Sequence, residues 1–164
     1  MRTFYKIKEQ DCFYTVIANI TNKCNFCCEY CCEHCNTTYD AIDLNLKYLK
    51  SFIINILPLI KNKWKILKLS LYGGEPTLHK DIIRFCVDIK NKYHSDIYIE
   101  VYSNFSSDFK LYNHLLSLDI NLILTAHNNK IFSDDDFYNN ILKLDNTKIA
   151  NNVIFNVMFE KDAV

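Results

Sequence analysis

Three cysteines, Cys24, Cys28 and Cys31, sit in the run Cys24-Asn25-Phe26-Cys27-Cys28-Glu29-Tyr30-Cys31, separated by three and then two residues. Thiolates at this spacing can wrap one inorganic cluster. A [4Fe–4S] cube normally takes four Cys ligands. Three from a single loop leave one iron open, and an open iron can bind another molecule and do chemistry on it. A closed structural knot lacks that position. The competing reading is structural zinc, for which Cys27, Cys32, His34 and Cys35 offer spare ligands. A second frame, Cys28, Cys32 and Cys35, repeats the spacing but carries His34 where the first frame has Tyr30.

Further along stands Leu71-Tyr72-Gly73-Gly74-Glu75-Pro76-Thr77-Leu78. Two glycines let a backbone turn tightly and approach a ligand, and their carbonyls are unshielded by side chains. Glu75 adds negative charge and Pro76 stiffens the turn. Taken alone, Gly-Gly here is an ordinary strand-to-helix turn.

Taken together, the two runs resemble the signatures of the radical S-adenosylmethionine (SAM) enzymes. The cysteine spacing matches, Tyr30 fills the aromatic position before the last cysteine, and Thr21-Asn22-Lys23-Cys24-Asn25 is a familiar lead-in. Gly73-Gly74-Glu75-Pro76 matches the family's Gly-Gly-Glu-Pro motif at all four positions. The resemblance implies a [4Fe–4S] cluster on Cys24, Cys28 and Cys31, with SAM chelated to the open iron through its amino and carboxylate groups. Reductive cleavage of SAM then yields a 5′-deoxyadenosyl radical that abstracts hydrogen from a substrate. It implies further that Tyr30 helps seat the adenine and that the Gly73–Pro76 loop holds the SAM amino group. Cys27, Cys32 and Cys35 remain without a role.

Two more segments follow the family less closely. Val101-Tyr102-Ser103-Asn104-Phe105 is similar to its Thr-Asn-Gly strand end, with Ser103 for Thr and Phe105 for Gly. There Ser103 and Asn104 are expected to bond the SAM ribose or carboxylate. Leu124-Thr125-Ala126-His127 occupies the place of a polar strand end, making Thr125 a SAM contact and His127 a substrate contact or general acid–base. A lone loop histidine is as readily a solvated one. The implied partners are a one-electron donor of flavodoxin or ferredoxin type and an unidentified substrate. The substrate could be a peptide or protein to be modified, or a glycyl-radical enzyme to be activated. A non-catalytic zinc or iron–sulfur module is the rival from another class.

Composition narrows the classes. A chain of 164 residues makes one domain with a real core. Its 19 Lys and Arg balance 19 Asp and Glu, so no basic footprint advertises nucleic acid. The longest apolar-rich stretch, residues 51–60, is too short to span a bilayer and is broken by Asn55 and Pro58. Of eight cysteines, six fall between Cys24 and Cys35. Disulfide scaffolds spread cysteines to close loops, whereas crowding of this kind reads as metal ligation in a reducing, cytoplasmic setting.

The elements that must carry these residues follow from the apolar rhythm. Strands are predicted at 13–20, 66–72, 96–102, 121–126 and 153–159, with a short extended piece at 3–7. Helices are predicted at about 44–56, 82–89, 108–118 and 134–144; the first carries an apolar stripe of Leu44, Tyr48, Leu49, Phe52, Ile53 and Ile56, is capped by Asp40 or Asp43 and has Pro58 near its end. Strands alternating with helices imply parallel βαβ units. Five units are too few for a closed eightfold barrel. They fit a partial (β/α) barrel of five to six parallel strands, the radical SAM core, over a single domain 1–164 that lacks its last unit. Each candidate motif then falls at a strand's carboxyl end, where parallel sheets bind ligands. Asn156 is expected on an interior, ligand-facing row of the last strand or, if that strand is an edge, on an ordinary solvent face; Glu100 is expected in the barrel interior or on a wet edge.

Overall fold

Alternation of β-branched and polar residues lays down five strands: β1 (Phe13–Thr21), β2 (Ile66–Gly73), β3 (Ile97–Ser103), β4 (Asn121–His127) and β5 (Val153–Met158). The computed structural model describes residues 13–31, 33, 35, 42–61, 66–93, 95–127 and 134–158. All neighbouring strands pair parallel, in the order β1-β2-β3-β4-β5. The predicted partial barrel is therefore the observed architecture. The predicted extended piece at 3–7 and Asp40 lie outside the described residues.

Helices α1 (Leu46–Lys61), α2 (Ile82–Tyr93), α3 (Phe109–Ser117), α4 (Asp134–Ile141) and α5 (Asn146–Asn152) connect the strands, with a 3₁₀ turn at Pro76–Leu78. One apolar core joins the helices to one face of the sheet. Leu67, Leu69 and Leu71 of β2 and Ile97, Ile99 and Val101 of β3 meet Ile53 and Leu57 of α1, Cys86 of α2 and Leu115 of α3. Because the side-chain period of a strand is two, the alternate residues point to the other face. That face carries Lys68, Ser70 and Tyr72 on β2 and Glu100 and Tyr102 on β3.

Three details differ from the sequence expectation. The cap of α1 is Asn45, whose Oδ1 accepts from the Lys47 N–H; Asp43 is engaged elsewhere. The buried stripe of α1 is Leu46, Leu49, Ile53, Leu57 and Ile60, while Tyr48 and Phe52 are exposed. Pro58 lies inside the helix, near its end at Lys61 as expected. The predicted helix at 134–144 stops at Ile141, and a separate α5 follows, capped by Asp145 accepting from the Thr147 N–H. That cap, in the Leu144-Asp145-Asn146-Thr147 run, was the available signal.

Glu100 is buried. Lys68 bonds one carboxylate oxygen at 2.8 Å and Ser70 donates to the other at 3.1 Å. Since β3 is the central strand, the interior reading of this residue holds and the wet-edge reading does not. No helix among the described residues is long and apolar enough to cross a membrane.

Candidate active site

The cysteine loop leaves the carboxyl end of β1, and its lead-in is held from two sides. Thr21 Oγ1 donates to Asp43 and accepts from the Lys23 N–H, and Lys23 Nζ pairs with Asp43 at 2.6 Å. Burial pushes the Asp43 carboxyl up, but its bonds from Lys23 and Thr21 prevail and hold it below the ordinary value. On the other side Gly74 N–H donates to Thr21 O at 2.8 Å, and Glu75 N–H donates to Lys23 O at 2.7 Å.

This docking explains both glycines. A Cβ on Gly73 would run into the Thr21 carbonyl, and one on Gly74 into the Lys23 carbonyl. Gly73 also has φ of +135°, a conformation L side chains rarely adopt. The Gly-Gly pair is thus the seat on which the start of the cysteine loop rests.

Beyond the glycines, Glu75 is fully buried and its carboxylate points into the protein. It accepts from Thr77 N, Thr77 Oγ1, Ser103 Oγ and the Asn104 N–H. Burial drives its carboxyl up from the ordinary value, and bonds from Thr77, Asn104 and Ser103 work against that rise. Pro76 is buried at the first position of the 3₁₀ turn. Neither side chain lines the cavity described below. They shape the loop whose glycines line it.

Ser103 ends β3 and Asn104 follows it, and both side chains bond within the protein. Ser103 Oγ donates to Glu75, accepts from the Phe105 N–H and pairs with Tyr112 Oη. A hydroxyl has one proton and two lone pairs, and all are used. Asn104 Oδ1 accepts from Ser106 N and Ser106 Oγ, while Nδ2 donates to Asn25 Oδ1 at 3.0 Å and to Cys24 Sγ at 3.9 Å. These side chains tie β3 to the cysteine loop at the wall of the cavity described below. Phe105, in the place of the family's glycine, has φ of +60°. The left-handed backbone is kept without the glycine, under a ring buried against Tyr112 and Phe137.

These tethers bring Cys24, Cys28 and Cys31 to the wall of one cavity of about 310 Å³ at the carboxyl end of the sheet. Tyr30, Gly73, Gly74, Ser103, Asn104 and Thr125 line it as well, so nine of the residues predicted for cofactor binding and ligation share one space. A turn bonded from Cys31 N to Cys28 O at 3.1 Å brings the last two thiols round. Cys24 Sγ accepts from the Phe26 N–H; burial nevertheless raises its thiol above the ordinary value. His127 ends β4 opposite Met158, and its side chain lies outside the described residues. Cys27 is exposed, and Cys32 and His34 lie outside the described residues.

Sequence reasoning passed over several lining residues: Phe26, Glu33, Tyr72 and Tyr102, with Cys35 left unassigned. Strand alternation was the signal for the tyrosines, since it puts Tyr72 and Tyr102 on the helix-free face, where their rings meet edge-on at 5.5 Å. Asn156, exposed on the edge strand β5, lines the cavity beside Thr125, its partner in register.

The thiols can be compared with what each metal centre needs. Among the described residues no three His, Cys, Asp or Glu side chains converge on a single-ion site. Zinc requires its ligands to converge, at about 2.3 Å from one ion for sulfur. A cube takes each thiolate at a different iron, so its ligands stand apart around a shared space. Three thiols lining one cavity could each meet a different iron of such a cube.

Solved structures place this architecture. BtrN in complex with AdoMet and 2-DOIA superposes with a TM-score of 0.69 at 19% identity, covering 89% of this chain and 57% of that one. The chain has the fold of a radical SAM core. That core is shared also with anSMEcpe with bound AdoMet and the Cp18Cys peptide, at a TM-score of 0.62 and 17% identity over 88% of this chain and 42% of that one. BtrN in an open conformation matches at 0.60 and 18%, over 89% of this chain and 56% of its own. The chain spans about half the length of those proteins. No protein-family model and no curated protein sequence matches the chain.

Proposed function

We propose that the chain is a radical SAM enzyme, or the catalytic core of one, with Cys24, Cys28 and Cys31 as ligands of a [4Fe–4S] cluster and SAM bound in the adjoining cavity. The observation that carries this reading is the convergence of the three thiols and the Gly73-Gly74 seat on one cavity at the carboxyl end of the sheet. When bound, cluster and SAM would supply reductive cleavage of the sulfonium and hydrogen abstraction from a substrate.

The chain's own residues have the remaining tasks. Glycine carbonyls at the cavity wall can accept from the SAM ammonium group, with no side chain in the way. Tyr30 offers a ring for the adenine. Thr125 and Asn156, side by side in register, offer polar atoms on the opposite wall. The Asn104 amide and the Phe26 N–H donate to Cys24 sulfur, and such bonds tune a cluster's potential. Walls of Phe26, Tyr72 and Tyr102 help exclude water from a reactive centre. A one-electron donor of flavodoxin or ferredoxin type would reduce the cluster.

The substrate class we favour is a peptide or protein, either modified directly or activated as a glycyl-radical enzyme. The bound Cp18Cys peptide of anSMEcpe supports that class by analogy. A second reading is a closed, non-catalytic four-thiolate site, favoured by one observation: Cys35 lines the same cavity.

Anaerobic reconstitution with iron and sulfide separates the two. The enzyme reading expects a broad iron–sulfur absorbance and release of 5′-deoxyadenosine on addition of SAM and dithionite. Replacing Cys24, Cys28 or Cys31 with Ala should abolish that release. Stoichiometric zinc without the product would sink the reading.

A further inference from the structure

A fourth thiol shares the cavity. Cys35 is only 6% exposed, and it lines the same wall as Cys24, Cys28 and Cys31. Its thiol donates to the Glu33 carbonyl at 3.7 Å, on the wall of the cavity that Cys31 also lines. Cys35 is thus a neighbour of one proposed ligand, not an isolated core cysteine such as Cys86. Cys86 is buried on the helix side of the sheet.

We propose, on the reading that Cys24, Cys28 and Cys31 hold a [4Fe–4S] cluster, that the Cys35 thiolate caps the fourth iron while SAM is absent and gives that iron up when SAM binds. Iron in such a cluster prefers thiolate to water. A thiol four residues beyond Cys31 also has a high effective concentration at the site, because its chain connection is short. Capping is a ligand exchange with no change of oxidation state. The Cys35 S–H proton passes to solvent, an S–Fe bond forms, and a water leaves the iron. When the amino and carboxylate groups of SAM take the iron, that S–Fe bond breaks and the thiolate regains a proton. Two consequences follow. SAM has to compete with Cys35, which lowers its apparent affinity. The capped iron is also guarded against loss.

The test compares wild type with Cys35→Ala, both reconstituted anaerobically with ⁵⁷Fe. Cys35→Ser serves as a second variant should the alanine protein fail to fold. Mössbauer spectra without SAM are expected to show four thiolate-ligated irons in wild type and one distinct iron in the variant. Saturating SAM should make the two spectra alike, and SAM should bind the variant several-fold more tightly by calorimetry. Brief air exposure should generate the EPR signal of a three-iron cluster sooner in the variant.

Identical spectra without SAM would overturn the inference and leave the enzyme reading intact, since the cluster would still respond to SAM. A wild-type spectrum unmoved by SAM, with SAM binding only to the variant, would make Cys35 a permanent ligand and overturn the exchange. Absence of a four-iron cluster in both proteins would overturn the inference and the reading together.

Discussion

The Glu75 carboxylate accepts the backbone N–H of Asn104 at 2.7 Å, joining the loop after β2 to the end of β3 inside the protein. Through Asn104 the connection reaches Cys24, and through its own N–H Glu75 reaches Lys23 O. A residue that reads as a ligand contact in the sequence is in the structure the post to which three strand ends are tied.

Glu75→Ala strands the Thr77 and Asn104 N–H groups without their acceptor, at about 1–3 kcal/mol each. Glu75→Gln should be nearly as damaging, since its amide NH₂ must face one of four donors. Urea unfolding of the metal-free protein checks both. A Gln variant within about 0.5 kcal/mol of wild type, the range of harmless substitutions, would contradict this role.

Gly74→Ala places a Cβ against the Lys23 carbonyl, which is backbone and cannot swing aside. Overpacking costs typically about 1–3 kcal/mol, and here it also displaces the residue before Cys24. The expected outcome is lower stability together with a sharp fall in iron incorporated on reconstitution. Full iron loading in the variant would show that the seat is dispensable.

Phe105 gives an unusual ordering of variants. Phe105→Ala should cost about 3–5 kcal/mol, as large-to-small core changes do. Phe105→Gly opens a similar cavity but relieves a left-handed backbone worth about 1–2 kcal/mol. Glycine should therefore be the milder change, and equal or reversed midpoints in urea would refute it.

Asn104→Leu removes the amide donor to Cys24 sulfur. Hydrogen bonds to cluster sulfurs help set the potential, and each stabilises the more negative, reduced form. The variant's cluster should have a more negative midpoint potential in an EPR-monitored redox titration. A potential that stayed level or rose would rule out this tuning.

Alkaline pH should weaken the metal-free fold through two buried groups outside the site. Burial pushes the Cys86 thiol up to about 12 from 9.0, and the Tyr112 hydroxyl up to about 12 from 10.0. Above pH 9 the unfolded chain gives up these protons while the folded chain keeps them. The unfolded state then binds fewer protons, so stability falls as pH rises, by up to about 1.4 kcal/mol per pH unit for each group. Urea midpoints should drop between pH 9 and 11, and Cys86→Ala should flatten the early part of that fall. A level midpoint across the range would disprove it.

Much of this was legible in the chain. Parallel strands and their helices follow from apolar periodicity, and the cysteine and Gly-Gly runs announce themselves because cluster ligands and tight backbone approach need particular residue types at short spacing. Boundaries were missed where a cap decided them, as at Asp145, and the buried stripe of α1 was misplaced where apolar residues such as Tyr48 and Phe52 also occupy the exposed face.

By itself the sequence determined the order of elements and the identity of the three thiols, both matters of local spacing. Only the tertiary structure decided what each polar residue in the motifs does, because hydrogen-bond capacity is finite and its partners come from distant segments. Glu75, Ser103 and Asn104 proved fully committed to one another and to the cysteine loop, and Cys35 proved to share the cavity with the three thiols.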